Sequence, residues 1–208
     1  MANNKLYTNS ADMAPATINL KIANDIAQKI GINVSGQFLL GSIAPDAVFV
    51  RSNLTQEDFE SSHYRCKSIK ASWKEAVEEF KQAESPFMKG YALHVMTDVL
   101  WLSSVYAKLI KEYDDSFSKS VMTDDMDYIE KWLYRQNEYQ NLWNAISGAK
   151  INNLHFYVSP GEVEIFKTQK AQSIKYDPVI DSMQYLTLDG IDKFIKKTVQ
   201  RILLAVND

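Results

Sequence analysis

The stretch that decides the fold is "GYALHVMTDVLW", residues 90–101, inside a longer apolar segment that runs from Phe87 to Ile110. Apolar residues occupy almost every side of a helix drawn through this segment, a pattern typical of a helix buried at the centre of a protein. Ser85 can cap the start of such a helix, and Pro86 suits its first turn. The segment therefore predicts a central helix around which the rest of the chain packs.

The flanking sequence predicts further helices rather than strands. Ile18, Ile22, Ile26 and Ile30 recur four residues apart, which places them on one face of a helix that ends at Gly31. Similar apolar stripes or terminal signals predict helices over four other ranges, 35–44, 67–83, 123–148 and 188–205.

These patterns predict an all-α fold, a single-domain helical bundle over residues 13–208. Residues 149–186 are the least regular part of the chain; Pro160-Gly161 indicates a turn there, and a short hairpin is the one regular element we consider for this stretch. We expect the polar residues 1–12 to form a flexible leader.

The composition is that of an ordinary globular protein, with 46% apolar and 24% charged residues in a chain of 208. A net charge of −3 argues against bulk nucleic-acid binding through a basic surface. Cys66 is the single cysteine, so an internal disulfide is excluded. We find neither a secretory signal nor a run of about 18 apolar residues, so we expect a cytoplasmic protein without a transmembrane segment.

Two polar residues interrupt the apolar central helix. His94 and Asp98 are four residues apart, so their side chains share a face and can converge on one ion. Gly90, one turn earlier, leaves room for the backbone of another segment to approach. The simpler alternative is that His94 and Asp98 hydrogen-bond each other in the core.

Two other segments contribute candidate ligands. Asp46 lies in the apolar run "FLLGSIAPDAVFV", residues 38–50, where a carboxylate is unfavourable unless it is paired, hydrogen-bonded or bound to a metal. The alternative for Asp46 is a cap or turn residue, and the alternative for His63, in "SSHYRC", is an exposed loop histidine. Together with His94 and Asp98 they provide two imidazoles and two carboxylates, a donor set that suits zinc.

Three motifs, "FLLGSIAPD", "SHY" and "GYALHVMTD", follow one another in an order and context that resemble the bacterial zinc-dependent phospholipase C family. The resemblance covers about residues 13–130. It implies an all-α bundle with zinc sites at one end, and an activity that hydrolyses phosphodiesters of phospholipids. A related group of single-strand nucleases shares this architecture.

Carried over by position, the resemblance implies that Asp46, His63, His94 and Asp98 bind one zinc ion. It further implies that Asp98 bridges to a second metal and that Asp46 is a candidate catalytic residue, acting as general base. We expect one zinc ion per chain, with another divalent metal as the alternative.

The departures from this family concern the additional metals. Family members carry a histidine on the first helix, in the pattern "HLAIA", where this chain has "NLKIA" with Asn19, and an amide is a poor zinc ligand. After Asp98 the next histidine is His155, which we interpret as structural or incidental. Acids such as Asp124 and Asp125 are candidates for a weak second site, although acidic residues at the start of a helix are the simpler interpretation.

Two classes of function follow. The first is a metal-dependent phosphoester hydrolase with a reduced metal site, whose partner is a phosphoester small molecule or a lipid headgroup. The second is a non-catalytic metal-binding protein of the same fold with a structural or interaction role. Tyr64, Tyr91 and Trp101 are close to the candidate ligands in sequence, and either line a pocket or belong to the core. The sequence does not indicate the oligomeric state.

Overall fold

Helix is the only regular secondary structure in the described part of the chain. A computed structural model describes residues 12–64, 68–151 and 157–207, and the predicted all-α class is confirmed within these ranges. In chain order these residues form ten α-helices: α1 (Ala16–Ile30), α2 (Gly36–Gly41), α3 (Gln56–Ser62), α4 (Ile69–Gln82), α5 (Pro86–Trp101), α6 (Ala107–Tyr113), α7 (Lys119–Tyr134), α8 (Asn137–Ser147), α9 (Pro160–Ser173) and α10 (Leu188–Asn207). Shorter connecting elements are two 3-10 segments, Ala44–Val50 and Asp114–Ser116, and a π-helical segment, Leu102–Tyr106.

The helix α5 occupies the centre of the bundle, as its sequence predicts. Apart from Lys89, every residue from Phe87 to Trp101 is buried. Pro86 takes the first helical position, whereas the side chain of Ser85 makes no capping hydrogen bond, contrary to the prediction. The neighbours that cover α5 most extensively are α2 and α4. The all-round apolar pattern therefore has a direct structural cause, because α5 has packed neighbours on several sides.

The helices α2 and α5 touch through their backbones at two glycines. A Cβ atom placed on Gly90 would lie 2.0 Å from the carbonyl oxygen of Phe38, and one on Gly41 would lie 2.0 Å from that of Phe87. Any side chain would clash at either position, so the close approach inferred for Gly90 is confirmed. This contact fixes where α2 ends, and therefore where the following 3-10 segment lies relative to α5.

Two helical boundaries differ from the sequence prediction. The single helix predicted for residues 123–148 is two helices, because Gln136 has extended backbone (ψ 136°) between α7 and α8. The helix α7 also begins earlier than predicted, at Lys119. The helix α3 was not predicted; it has only seven residues, too few to show an apolar period, but Thr55 and Asp58 form a capping box at its start.

The hairpin considered for residues 149–186 is absent from the part of that stretch that the structure describes. The helix α9 is present instead, and it begins with a capping box. Ser159 Oγ accepts a hydrogen bond from the N–H of Glu162, and the Glu162 carboxylate accepts one from the N–H of Ser159. Pro160-Gly161 thus opens a helix rather than forming an isolated turn.

Residues 1–11 lie outside the described residues, so the predicted leader is represented only by Asp12. Asp12 and the adjacent Met13 are both buried. None of the helices described has the combination of length and apolar character that crossing a bilayer would require.

The glycine contact generates a stability prediction. Replacing Gly90 by Ala forces α2 and α5 apart against the Phe38 carbonyl, so we expect the free energy of unfolding to fall by roughly 1–3 kcal/mol. Chemical denaturation measures this change. The matched control is Gly148→Ala, because a Cβ there meets no atom within 4 Å; we expect a change below about 0.5 kcal/mol. Equal stability of the Gly90→Ala variant and the wild type would contradict the contact.

Candidate metal centre

Four buried side chains from three segments meet at one point. Asp46, His63, His94 and Asp98 each offer one ligand atom, and these four atoms all lie within 4.8 Å of one another. All four residues are at most 5% exposed. The structure therefore brings together the complete set of residues that the sequence motifs indicate, in an arrangement that could hold a metal ion.

Four of the six distances between these atoms match the separation of neighbouring ligand atoms around one ion. Bonds of about 2.0–2.1 Å to a tetrahedral ion place neighbouring ligand atoms roughly 3.3–3.4 Å apart. From Asp46 Oδ1 to the Nε2 atoms of His63 and His94 the distances are 3.4 and 3.5 Å. From Asp98 Oδ2 to the same two atoms they are 3.6 and 3.2 Å. Each imidazole thus lies close to both carboxylates. If His94 and Asp98 only hydrogen-bonded each other, Asp46 and His63 would have no reason to lie beside them.

The four residues of the cluster come from three different structural elements. Asp46 lies in the 3-10 segment that begins directly after α2, with Pro45 near its start. His63 is the residue at which the short helix α3 ends. His94 and Asp98 are one turn apart on α5. The site therefore depends on how α2, α3 and α5 pack together rather than on any one element.

Hydrogen bonds on the far side of the ligands orient them toward the centre. His94 Nδ1 lies 2.9 Å from the carbonyl oxygen of Ser42, and His63 Nδ1 lies 3.1 Å from that of Phe59. A carbonyl oxygen can only accept, so Nδ1 of neutral His94 carries the proton, and its Nε2 has its lone pair toward the centre. The closest partner of His63 Nδ1 is the Ser62 hydroxyl at 2.7 Å; this hydroxyl donates to the Phe59 carbonyl at 3.0 Å, so it accepts the Nδ1 proton of neutral His63. Asp98 Oδ1 accepts the N–H of Ala14 at 3.1 Å, and Oδ2 lies 3.6 and 3.2 Å from the Nε2 atoms of His63 and His94.

The buried carboxylates of the four-residue cluster need a cation or hydrogen-bond donors nearby. Within the described residues, Asp46 Oδ1 and His94 Nε2 are buried and make no hydrogen bond. Buried carboxylates are strongly unfavourable unless a cation or hydrogen-bond donors offset them. A divalent ion at the centre would neutralise the two carboxylates and coordinate the inward atoms of the cluster.

Without a metal ion, a proton on an imidazole partly neutralises the two buried carboxylates. Burial acts to lower the pKa of His94, but the carboxylates of Asp98 and Asp46 outweigh it and raise the pKa to about 10. Burial acts to raise the pKa of Asp46, but the neighbouring imidazoles of His94 and His63 hold it well below its ordinary value. The ion-free site is thus a carboxylate–imidazolium cluster.

Aromatic residues near the ligands belong to the packed core. The Tyr91 hydroxyl donates to the carbonyl of Ser62 at 2.6 Å, which steadies the end of α3 beside His63. Tyr64 packs against Tyr91 with ring centroids 5.8 Å apart and has a positive φ of 55°. Burial raises the pKa of both tyrosine hydroxyls far above the usual range. Trp101 is fully buried against Phe194.

Asn19 lies at the edge of the site rather than among the ligands. Its Nδ2 donates to the carbonyl of Ala14 at 3.2 Å, and the N–H of Ala14 in turn binds Asp98. Asn19 Oδ1 is buried and has no hydrogen-bond partner among the described residues. Asn19 thus connects α1 to the segment that orients a ligand. His155, interpreted from sequence as incidental, lies outside the described residues.

The acids considered for a second metal have other surroundings. Asp125 is buried, and its carboxylate accepts hydrogen bonds from the N–H groups of Gln184, Tyr185 and Leu186 at 2.7–3.1 Å. Asp124 is exposed. Because α7 begins at Lys119, neither is a helix-start charge. Asp125 instead holds the chain that leads into α10.

A cavity of about 230 Å³ adjoins the four-residue cluster at Asp46. Its lining includes two residues that the sequence reasoning missed, Glu130 and Lys170, which form an ion pair. The signal in the sequence was weak: Glu130 falls beside the apolar stripe of Met126 and Ile129 on α7, where a carboxylate is unexpected. A larger cavity of about 380 Å³, between the π-helical segment and α10, is lined by none of the four cluster residues.

Lys170 keeps its charge in this setting. Burial acts to lower the pKa of Lys170, but the adjacent Glu130 carboxylate outweighs it, so the pKa lies above its ordinary value. Glu130 is itself held by α1, since its Oε1 accepts from both the N–H and the hydroxyl of Thr17. The cavity beside Asp46 therefore contains a fixed ammonium group.

Comparisons of the chain with protein-family models, with curated proteins and with solved structures return no match. The resemblance to zinc-dependent phospholipase C therefore stays an expectation based on the three sequence motifs. The evidence for a metal centre is the convergence of the four buried side chains.

The role of Asp125 can be tested apart from metal binding. Asp125→Asn removes the charge that accepts hydrogen bonds from residues 184–186, so we expect the free energy of unfolding to fall by roughly 1.5–3 kcal/mol. The zinc content should stay unchanged. Asp124→Asn, at an exposed position, is the matched control. Loss of zinc with unchanged stability in Asp125→Asn would instead make Asp125 a ligand.

Zinc binding should release a proton near neutral pH. His94 is protonated in the ion-free protein because its pKa is about 10, whereas zinc requires the neutral ring. Calorimetric titrations in two buffers of different ionisation enthalpy should give about one proton released per zinc. The protonated ring also stabilises the ion-free fold fully below pH 6.5, and this contribution is lost as the pH rises through about 10. A binding enthalpy independent of the buffer would refute the protonated state.

Proposed function

We propose that the protein is a metal-dependent phosphoester hydrolase with one zinc ion held by Asp46, His63, His94 and Asp98. The observation that carries this proposal is the convergence of the four ligand atoms on one point directly beside a cavity. The motif resemblance to zinc-dependent phospholipase C supports the reaction class. Two imidazoles and two carboxylates favour zinc, although such a mixed set also accepts other divalent metals.

The chain's own residues supply positioning and proton transfer. When bound, the ion would neutralise phosphoryl oxygens and acidify a water molecule. Among the four ligands, Asp46 is the one that lines the cavity, so its carboxylate is placed to accept a proton from the attacking water. The water oxygen then bonds to phosphorus, the bond from phosphorus to the leaving oxygen breaks, and the leaving group takes up a proton. The hydrogen bonds from His94 to Ser42 and from His63 to Ser62 keep both rings fixed during these steps.

A non-catalytic metal site is the second candidate, and one observation favours it. Structural zinc sites use four protein ligands, whereas catalytic ones usually use three and leave a position for water. This chain offers four buried ligands within the described residues. Catalysis would need either a fifth position at the ion or partial release of one carboxylate. Asp46, at the cavity wall, is the carboxylate we expect to shift.

Activity and metal content separate these two candidates. Protein purified without added zinc and then dialysed should contain about one zinc per chain by elemental analysis. It should hydrolyse p-nitrophenyl phosphate or methyl p-nitrophenyl phosphate, and a chelator should abolish turnover. Asp46→Asn should reduce kcat by about 100-fold or more, the scale of general acid–base catalysis, with a much smaller loss of zinc.

The matched control is Asp192→Asn, which removes an exposed carboxylate that pairs with Lys196 on α10. It should leave both kcat and zinc content unchanged. Fully loaded protein without turnover on a broad phosphoester panel would establish the non-catalytic alternative. Two or three tightly held zinc ions per chain would contradict the single-ion site.

A further inference from the structure

The cavity beside Asp46 contains a cation that no feature of the metal centre requires. Lys170 is the single basic residue in its described lining, and its Nζ pairs with Glu130 Oε2. The Lys170 side chain is 33% exposed, so it reaches the edge of the cavity. An ammonium group has three N–H donors, and the described residues provide one acceptor, Glu130. Further donors are thus available to a bound anion.

Glu130 holds this ammonium in place. It is 4% exposed, and its other oxygen accepts from the N–H of Thr17 at 3.1 Å and from the Thr17 hydroxyl at 3.3 Å. The Thr17 hydroxyl in turn accepts from the indole N–H of Trp143 at 3.2 Å. Glu130 is therefore a positioning residue whose own orientation is set by α1 and α8, and Lys170 has little freedom to move away.

Lys170 is the group in this cavity that favours an anion. The first turn of α1, including Ala16, also lines the cavity, and its Thr17 N–H already donates to Glu130. Asp127, also in the lining, is paired with Lys131 at 2.8 Å, which offsets its charge. The ammonium of Lys170 thus borders the same space as Asp46.

The other residues that line the cavity limit the size and polarity of the group attached to a bound phosphate. The remaining lining is apolar except for Thr123, and its largest side chains come from Met13, Phe49, Met126 and Phe166. The volume of about 230 Å³ is below the roughly 300–1,000 Å³ of pockets for drug-sized ligands. The cavity suits a phosphate group that bears one small, weakly polar substituent.

On the basis of the proposed function, we infer that Lys170 binds a non-bridging phosphate oxygen of the substrate, and that the substrate is a small soluble phosphoester. Lys170 is a binding residue in this arrangement, and Glu130 fixes its position. The phosphorus then lies between Lys170 and Asp46, on the cavity side of the four ligands.

Inorganic phosphate is the probe, because its binding does not depend on turnover. Calorimetric titration of dialysed zinc-loaded protein with phosphate gives the Kd. Lys170→Met would leave the Glu130 carboxylate buried and unpaired, so the test variant is Lys170→Met combined with Glu130→Gln. The loss of a charge-assisted hydrogen bond should weaken phosphate binding at least about tenfold. Lys170→Arg should restore much of the affinity, since it keeps the charge.

The control is Lys193→Met, which removes an exposed lysine paired with Asp189 on α10 and should leave the Kd unchanged. Zinc content, measured on every variant, should be constant. Equal phosphate affinity in the wild type and the double variant would overturn the role of Lys170, even if the wild type is an active hydrolase. Conversely, Lys170-dependent phosphate binding without hydrolysis of any phosphoester would support the anion site while removing the proposed activity.

A competition experiment tests the source of the phosphate. Glycerol phosphate should displace inorganic phosphate from the zinc-loaded wild type, and vesicles of phosphatidylglycerol at the same phosphate concentration should not. Displacement by the vesicles alone would overturn the assignment to a small soluble phosphoester.

Discussion

The backbone contact between Gly41 and Gly90 is the constraint on which the site depends. Because no side chain separates α2 from α5 at this crossing, the end of α2 is pressed against the turn of α5 that precedes His94. The chain leaving α2 then passes directly over the imidazole, with the Ser42 carbonyl 2.9 Å from His94 Nδ1. Four residues later the 3-10 segment places Asp46 on the other side of the same ring. One packing contact thus sets both the orientation of a ligand and its distance from the next ligand.

The charged residues in the centre of this bundle need a cation to offset their carboxylates. Two carboxylates and two imidazoles occupy positions with at most 5% exposure, an arrangement that would be unfavourable without a cation. In the ion-free protein the cation is a proton on His94, whose pKa is raised to about 10 by the neighbouring carboxylates. A divalent ion would replace that proton and could bind all four residues at once. Proton and metal would therefore compete for the same position.

Asp46 connects the two parts of the site. It belongs to the four-residue cluster and also forms part of the cavity wall that contains Lys170. Elsewhere in that lining, Glu130 joins α7 to α1 and α9 through Thr17 and Lys170. Helices that are far apart in sequence consequently enclose one small space, which both a residue of the four-residue cluster and an ammonium group line. Whether Asp46 stays bound to an ion or shifts would distinguish the two candidate functions.

Much of the fold was accessible from the sequence, because it depends on local patterns, whereas Asp46 and His63 were grouped with His94 and Asp98 through the three motifs and the family resemblance. The apolar period predicts α1, α4 and α10, and the segment that is apolar on all sides predicts the central helix. The four-residue spacing of His94 and Asp98 is enough to place them on one face of that helix. The break at Gln136 and the short helix α3 were missed, since neither carries a periodic signal.

Only the tertiary structure decided what surrounds those residues. Asp125 and Glu130 are both acids on α7, and no pattern distinguishes them. Yet Asp125 binds the backbone of residues 184–186, whereas Glu130 meets Lys170, 40 residues away, in the cavity beside Asp46. The sequence by itself determined most of the longer helices and which of their side chains share a face, because those properties arise from neighbours within a few turns. The partner of each buried charge depends on how the helices cross, and that is set by long-range packing such as the contact between Gly41 and Gly90.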